Sequence, residues 1–182
     1  MWEKIWRLED MPYFADHCVQ RMAVVPAAAF IEMVSVAGED LRGPSQWLFQ
    51  QVDFQRALIL SAGEDRLVQL SLAPAAANAA DAGWSFRVAS RPVAVADAAG
   101  DREPPPWSLH VTGTLAQHRA IDGSAPPALR KLDLAAIASR LGESLSSAEC
   151  YRELRRNGLE IDGSFQGIQA LRRGAQDAVL RT

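Results

Sequence analysis

Hydrophobic positions change period along this chain, and the changes mark its elements. From Ala27 to Leu41, Phe30, Met33, Val34, Ala37 and Leu41 follow i, i+3, i+4, i+7 spacing, while Glu32, Ser35 and Glu39 fall elsewhere on the wheel. This spacing predicts a helix of about four turns, largely apolar and wrapped by other structure. Pro26 is suited to its start, and Gly43-Pro44 stops it. Period two then takes over. In 47–55, Val52 and Phe54 alternate with Gln51, Asp53 and Gln55; in 66–72, Val68, Leu70 and Leu72 alternate with Gln69 and Ser71. In 84–90, Trp84, Phe86 and Val88 alternate with Ser85 and Arg87; in 107–116, Trp107, Leu109, Val111 and Leu115 alternate with Ser108, His110, Thr112 and Thr114. Each such segment reads as a strand with one buried face, as in an antiparallel sheet. Residues 2–8 add a short strand at the front. One apolar helix and five strands predict an α+β unit in which a curved antiparallel sheet wraps the helix.

The connectors 74–83 and 92–106 are rich in Ala, Gly, Asp and Pro, including Pro104-Pro105-Pro106. A longer break holds Asp122-Gly123-Ser124 and Pro126-Pro127. The expected organisation is a first unit over 1–118, a linker over 119–146, and the incomplete start of a second unit over 147–182. That second unit opens with a helix over 147–157, capped by Ser146 or Ser147 and closed by Gly158 at C′. A last strand-like run lies near Ala178-Val179-Leu180.

Charge and composition narrow the function. A net charge of −3 with no basic run gives nucleic-acid binding no electrostatic basis. No apolar run spans a bilayer, no secretory h-region leads the chain, and two cysteines make no disulfide framework. A soluble, cytoplasmic protein is expected. His and Cys residues show no ligand spacing, so no metal site is expected. Cys18 beside His17 is a poor nucleophile–base pair, because neighbouring side chains diverge and no third orienting group is evident.

Of three histidines, His110 falls on the polar face of a strand and His118 in the linker, and both read as solvated surface residues. His17 lies in the loop leading to Pro26 and the apolar helix. Beside a helix N-terminus, an imidazole can remove a proton α to a carbonyl while backbone N–H groups hold the developing oxyanion. On these residues alone, a histidine simply packed at the helix entrance is the other reading, and both stand.

The stretch DHCVQRMAVVPAAAFIEM resembles the first signature of polyketide synthase dehydratase domains, a His-x3-Gly-x4-Pro pattern here occupied by Asp16, His17, Pro26, Ala27, Ala28, Glu32 and Met33. QQVDFQRALIL, WSLHVTGTLAQ and YRELRRNGLEIDGSFQGIQALRRG are similar to later segments of that family, in its order. The resemblance implies a double hot-dog fold with this chain as its front portion. The implied reaction is loss of water from a β-hydroxyacyl thioester, carried on the phosphopantetheine of acyl carrier protein, to give an α,β-enoyl thioester. His17 would take the α-proton, with Arg21, Pro26 and Phe165 against the substrate; no bound cofactor or metal is implied. The implied partners are acyl carrier protein, other synthase domains, and a second copy or a complementary hot-dog unit covering the apolar surface.

Three departures from the family pattern stand out. Arg21 occupies the glycine position, where a side chain is expected to crowd the acyl chain or forbid a positive φ. Ile161-Asp162-Gly163-Ser164-Phe165 stands for Tyr-Gly-Pro-x-Phe, so the tyrosine hydroxyl is missing. The Asp-x3-Gln/His helix is expected after Thr182; Asp177 is followed by Arg181 and does not fit it. Asp16 is expected to serve loop hydrogen bonding. Two alternatives follow: a catalytically inactive or truncated remnant acting as scaffold or interface, and a relative using the fold for other acyl-thioester chemistry such as cyclisation.

Overall fold

The computed structural model describes residues 1–75, 83–93, 104–117, 132–174 and 178–182. In chain order the elements are β1 (Trp2–Trp6), β2 (His17–Val19), β3 (Met22–Ala23), α1 (Ala27–Arg42), β4 (Trp47–Phe54), β5 (Arg66–Pro74), β6 (Trp84–Pro92) and β7 (Ser108–Gln117). There follow α2 (Leu134–Ser139), β8 (Glu143–Ser146), α3 (Ser147–Arg156), β9 (Leu159–Ile161), β10 (Ala170–Arg173) and β11 (Ala178–Arg181). Two units result: Met1–Ala15 with Met22–Arg119, and Asp16–Arg21 with Ala120–Thr182. Residues 16–21, early in the chain, thus belong with the late ones.

The first unit has the expected hot-dog design. Its sheet runs β1-β5-β6-β7-β4, every pairing antiparallel. Helix α1 packs on β4 and β7 and buries Phe30, Val34, Ala37 and Gly38. Facing it, Leu70, Val88 and Val111 lie side by side in register and are nearly inaccessible. Burying each such side chain contributes about 1.5–3 kcal/mol. Leu41, expected on the buried stripe, is instead 48% exposed, and Gly38 lies within the contact. A Cβ at Gly38 would come within 2.9 Å of the Trp47 ring, so the helix approaches β4 closely because that position has no side chain. The chain before α1 is tied down by Val24 bridging Ile59 and by Val25 N–H donating to the Leu58 carbonyl at 2.9 Å. At the edge, Arg7 Nε and Nη2 each reach an Asp65 oxygen at 2.8 Å, fastening the end of β1 to the start of β5.

His110 is not on the solvated face. Val88 pairs with Val111 and Ala89 with Leu109, so His110 is the extra residue of a β-bulge. The bulge resets the alternation and turns the imidazole inward, where it is 3% exposed. Its Nδ1 lies 2.9 Å from the Arg56 carbonyl oxygen and donates to it; Nε2 accepts from the buried Ser90 hydroxyl at 2.8 Å. The Phe30 ring stacks against it at 6.2 Å. A second bulge sets Gln51 and Val52 of β4 opposite Gly113, with Gln51 at φ 51°. His118 lies outside the described residues.

In the second unit, α3 begins and ends as expected. Ser146 caps it reciprocally with Glu149, and Gly158, at φ 80°, closes it. The helix buries Cys150 and Tyr151, and the Tyr151 hydroxyl accepts from Ile168 N–H at 2.8 Å. Strand β10 pairs antiparallel with β8 and β11. Arg173 on β10 reaches Glu143 at 2.8 Å and Glu153 at 2.9 Å, tying β8 and α3 to it through exposed charges. Helix α2 and β8 occupy the second half of the expected linker. Its breakers at 122–127 lie outside the described residues.

Two measurements check this packing. A Cβ at Gly113 would sit 2.6 Å from the Phe86 ring and 3.2 Å from the Val52 Cα, so Gly113→Ala is expected to cost about 1–3 kcal/mol in urea unfolding. Burial pushes the His110 imidazole below its ordinary value of 6.5; the Arg66 and Arg56 charges add to this, against the Arg56 carbonyl bond. Just below pH 6.5 the unfolded chain therefore binds more protons than the folded one. Stability is lost as pH falls through 6.5 and levels off below the folded value. His110→Gln removes that part of the slope.

Candidate active site

The site is built in the second unit, from the two ends of the chain. Strand β2 pairs antiparallel with β9: His17 with Ile161, Cys18 with Glu160, Val19 with Leu159. Asp162 N–H donates to the Asp16 carbonyl at 2.9 Å, and Gln20 N–H to the Gly158 carbonyl at 2.7 Å. These bonds flank the ladder with hydrogen-bonded pairs, and the alternation makes His17–Ile161 a non-hydrogen-bonded pair, in which side chains approach most closely. The sequence places β9 well for this. Gly158 ends α3 in a left-handed conformation, and the strand starts at the next residue.

Beyond β9 the chain makes a single 3-10 turn, Gly163–Phe165, which returns an aromatic ring to the histidine. The Phe165 and His17 rings have centroids 5.4 Å apart at 53°. Both side chains are half-buried. The imidazole is therefore bounded by Phe165 and by Ile161 across the strand pair. A nitrogen base in such a place keeps access to substrate while an apolar wall limits water around it.

Of the four expected site residues, His17 and Phe165 come together directly. Arg21 is in the same unit, in the turn after β2. Pro26 belongs to the first unit, where it is the N-cap of α1 at φ −63° and ψ 149°, without a side-chain cap bond. Asp16 accepts from Ser164 N–H through its Oδ2 at 2.9 Å, a contact its expected loop role covers without naming its target. Ile161, known from the sequence only as a missing tyrosine, stands opposite His17. The Cys18 thiol is pushed up by burial, and the charges of Glu160, Asp162 and Asp16 push it further, so a thiolate is disfavoured next to the histidine. Among the described residues no group of His, Cys, Asp and Glu is arranged to hold a metal ion. Asp177 lies outside the described residues.

Comparison with known proteins agrees with this architecture. A family profile described as the polyketide synthase dehydratase domain matches residues 1–91, and one described as the polyketide synthase dehydratase N-terminal domain matches residues 130–182. The chain belongs to the polyketide synthase dehydratase family. The spectinabilin polyketide synthase system protein NorA of Streptomyces orinoci is 32% identical over 178 residues, covering 95% of this chain and 8% of NorA. The dehydratase domain from the CurF module of curacin polyketide synthase superposes with a TM-score of 0.76 at 24% identity, covering 98% of this chain and 58% of that one. The CurJ dehydratase, solved as an inactive mutant with a histidine changed to phenylalanine and in complex with a compound, matches with a TM-score of 0.69 at 26% identity, covering 98% of this chain and 54% of that one. The chain thus spans a small part of NorA and little more than half of these solved domains.

Arg21 adopts the conformation its side chain was expected to forbid. Its φ is 66°, and that of Gln20 is 50°. The two-residue turn holds both in the left-handed region despite the Cβ penalty, because the Gln20–Gly158 bond and the β2 ladder fix the backbone before it. Arg21→Gly is accordingly expected to stabilise the chain, by about 0.5–1 kcal/mol, relief of left-handed strain being partly offset by added unfolded-state freedom. Thermal unfolding reads the sign: a destabilised variant would contradict the strain.

Proposed function

We propose that this chain carries the base of a dehydratase acting on β-hydroxyacyl thioesters tethered to acyl carrier protein. The supporting observation is the half-buried His17 imidazole set against Phe165. The imidazole takes the α-proton, and the C–H electron pair becomes the α,β double bond. The β-hydroxyl departs as water, with a proton from an aspartate on a complementary segment of the double hot-dog. The N–H of Arg21, at the family's glycine position, donates to the thioester carbonyl as negative charge builds there. The inactive histidine-to-phenylalanine form of the CurJ dehydratase supports a histidine as essential to this chemistry.

Association with other polyketide synthase domains follows from the relatives, which are parts of such systems. Acyl carrier protein, and a second copy or complementary hot-dog unit, are the proposed finer partners. An apolar groove of about 390 Å³ in the first unit, lined by Trp2, Trp6, Met11, Met33, Val36 and Val68 among others, supports a covering partner. No helix among the described residues is long and apolar enough to cross a membrane. Likeness to polyketide synthase system proteins supports the cytoplasm as the proposed location.

A second reading has one observation in its favour: Ile161, not tyrosine, faces His17, as suits a catalytically silent scaffold. The two part in one assay. The chain is combined with an aspartate-bearing complementary segment and a β-hydroxyacyl carrier protein, and loss of water is followed by mass spectrometry. His17→Ala is expected to slow the reaction roughly 10²–10⁴-fold. Turnover that survives His17→Ala contradicts the base; no turnover, with the segment still bound, favours the scaffold.

A further inference from the structure

Asp16 adjoins the proposed base, and its bonds run to the turn that carries Phe165. Its carbonyl accepts from Asp162 N–H at 2.9 Å, and its Oδ2 accepts from Ser164 N–H at 2.9 Å. One residue thus grips the backbone on both sides of Gly163. Gly163 itself has φ 38°, and a Cβ there would run into the Asp16 carboxylate. The turn is closed by Phe165 N–H donating to the Asp162 carbonyl at 3.0 Å, and the Asp162 side chain is held by Arg155 at 2.8 Å. The residue at the end of this clamped turn is the one whose ring meets His17.

An imidazole that removes a proton along one line depends on the angle of its ring, and that angle depends on what the ring leans on. We infer that Asp16 is a positioning residue of the site: its carboxylate clamps the 163–165 turn and so fixes Phe165 against the His17 ring, with Gly163 lacking a side chain to admit the carboxylate. Asp16 ends the 3-10 helix Pro12–Asp16 just ahead of β2, and its bonds run to Asp162 and Ser164, so it acts on His17 through the facing turn.

The catalytic part of this inference rests on His17 being the base; the clamp is read without any turnover. NMR of the whole chain, comparing wild type with Asp16→Asn, Asp16→Ala and Gly163→Ala, follows the His17 ring protons and their NOEs to Phe165. Unchanged His110 ring signals show that the first unit remains folded, and unchanged Tyr151 ring signals show the same for the second. Asparagine keeps an oxygen for Ser164 N–H, so Asp16→Asn is expected to retain the His17–Phe165 NOEs, whereas in Asp16→Ala and Gly163→Ala they disappear. In the dehydration assay Asp16→Ala is expected to lower kcat on the order of ten- to a hundredfold, with KM changed less than about twofold, and Asp16→Asn to restore most of the rate. NOEs that persist in Asp16→Ala, or that vanish equally in Asp16→Asn, overturn the clamp. If the NOEs vanish in Asp16→Ala alone of that pair while turnover withstands His17→Ala, the clamp is upheld and only its catalytic purpose is overturned.

Discussion

A three-residue antiparallel ladder decides where the candidate site of this chain sits. His17, Cys18 and Val19 pair with Ile161, Glu160 and Leu159, bringing a segment near the start of the chain to one near its end. Three residues of ladder are a small gain against the entropy of closing so long a loop, although that cost rises only slowly with loop length. The short strand is accordingly extended on both sides, by Gln20 with Gly158 and by Asp16 with Asp162 and Ser164. Those flanking bonds add to the ladder that sets the backbone register of His17, and the Asp16–Ser164 bond ties down the turn whose ring His17 meets.

The two units solve different problems. The first is a packing solution: α1 lies on a sheet whose inner residues, Leu70, Val88, Val111 and Phe86, meet in register, and glycines at 38 and 113 admit the large rings of Trp47 and Phe86. Its buried polar cluster of Ser90, His110 and the Arg56 carbonyl is hydrogen-bonded throughout, so the imidazole enters the core without an unpaired nitrogen. The second unit relies on caps, turns and polar ties instead: the Ser146–Glu149 box, Gly158, Arg173 between two glutamates, and Asp16 on its turn. A candidate site on such a unit leaves the His17 side chain half-open above a backbone held by these bonds.

Much of the first unit is legible in the sequence because its elements are long enough for period to show. The α1 stripe and the alternation of β5 and β6 are plain there, and Gly158 is recognisable as a helix stop. His110 reads as solvated because a bulge changes the face of a residue without leaving a mark in the hydrophobic pattern. Leu41 reads as buried because the helix closes on β4 through Gly38, which no apolar count would select. The site is legible only through family likeness: a three-residue strand has no usable period, and nothing in residues 16–21 announces that their partner lies in 159–161. Nor can the sequence show that Arg21 tolerates a positive φ, since the bonds that hold it there come from distant residues.

The claim that most depends on all of this is the β2–β9 register, and a cross-link tests it directly. Val19 and Leu159 form a non-hydrogen-bonded pair, the spacing at which cross-strand disulfides close with little strain. Val19→Cys with Leu159→Cys, in a chain whose Cys18 and Cys150 are replaced by serine, is expected to oxidise readily to one intramolecular disulfide while folded and not in urea. A disulfide that forms only when the second cysteine is moved to Ile161, or none at all in the folded chain, would contradict the register and with it the placing of His17 against Phe165.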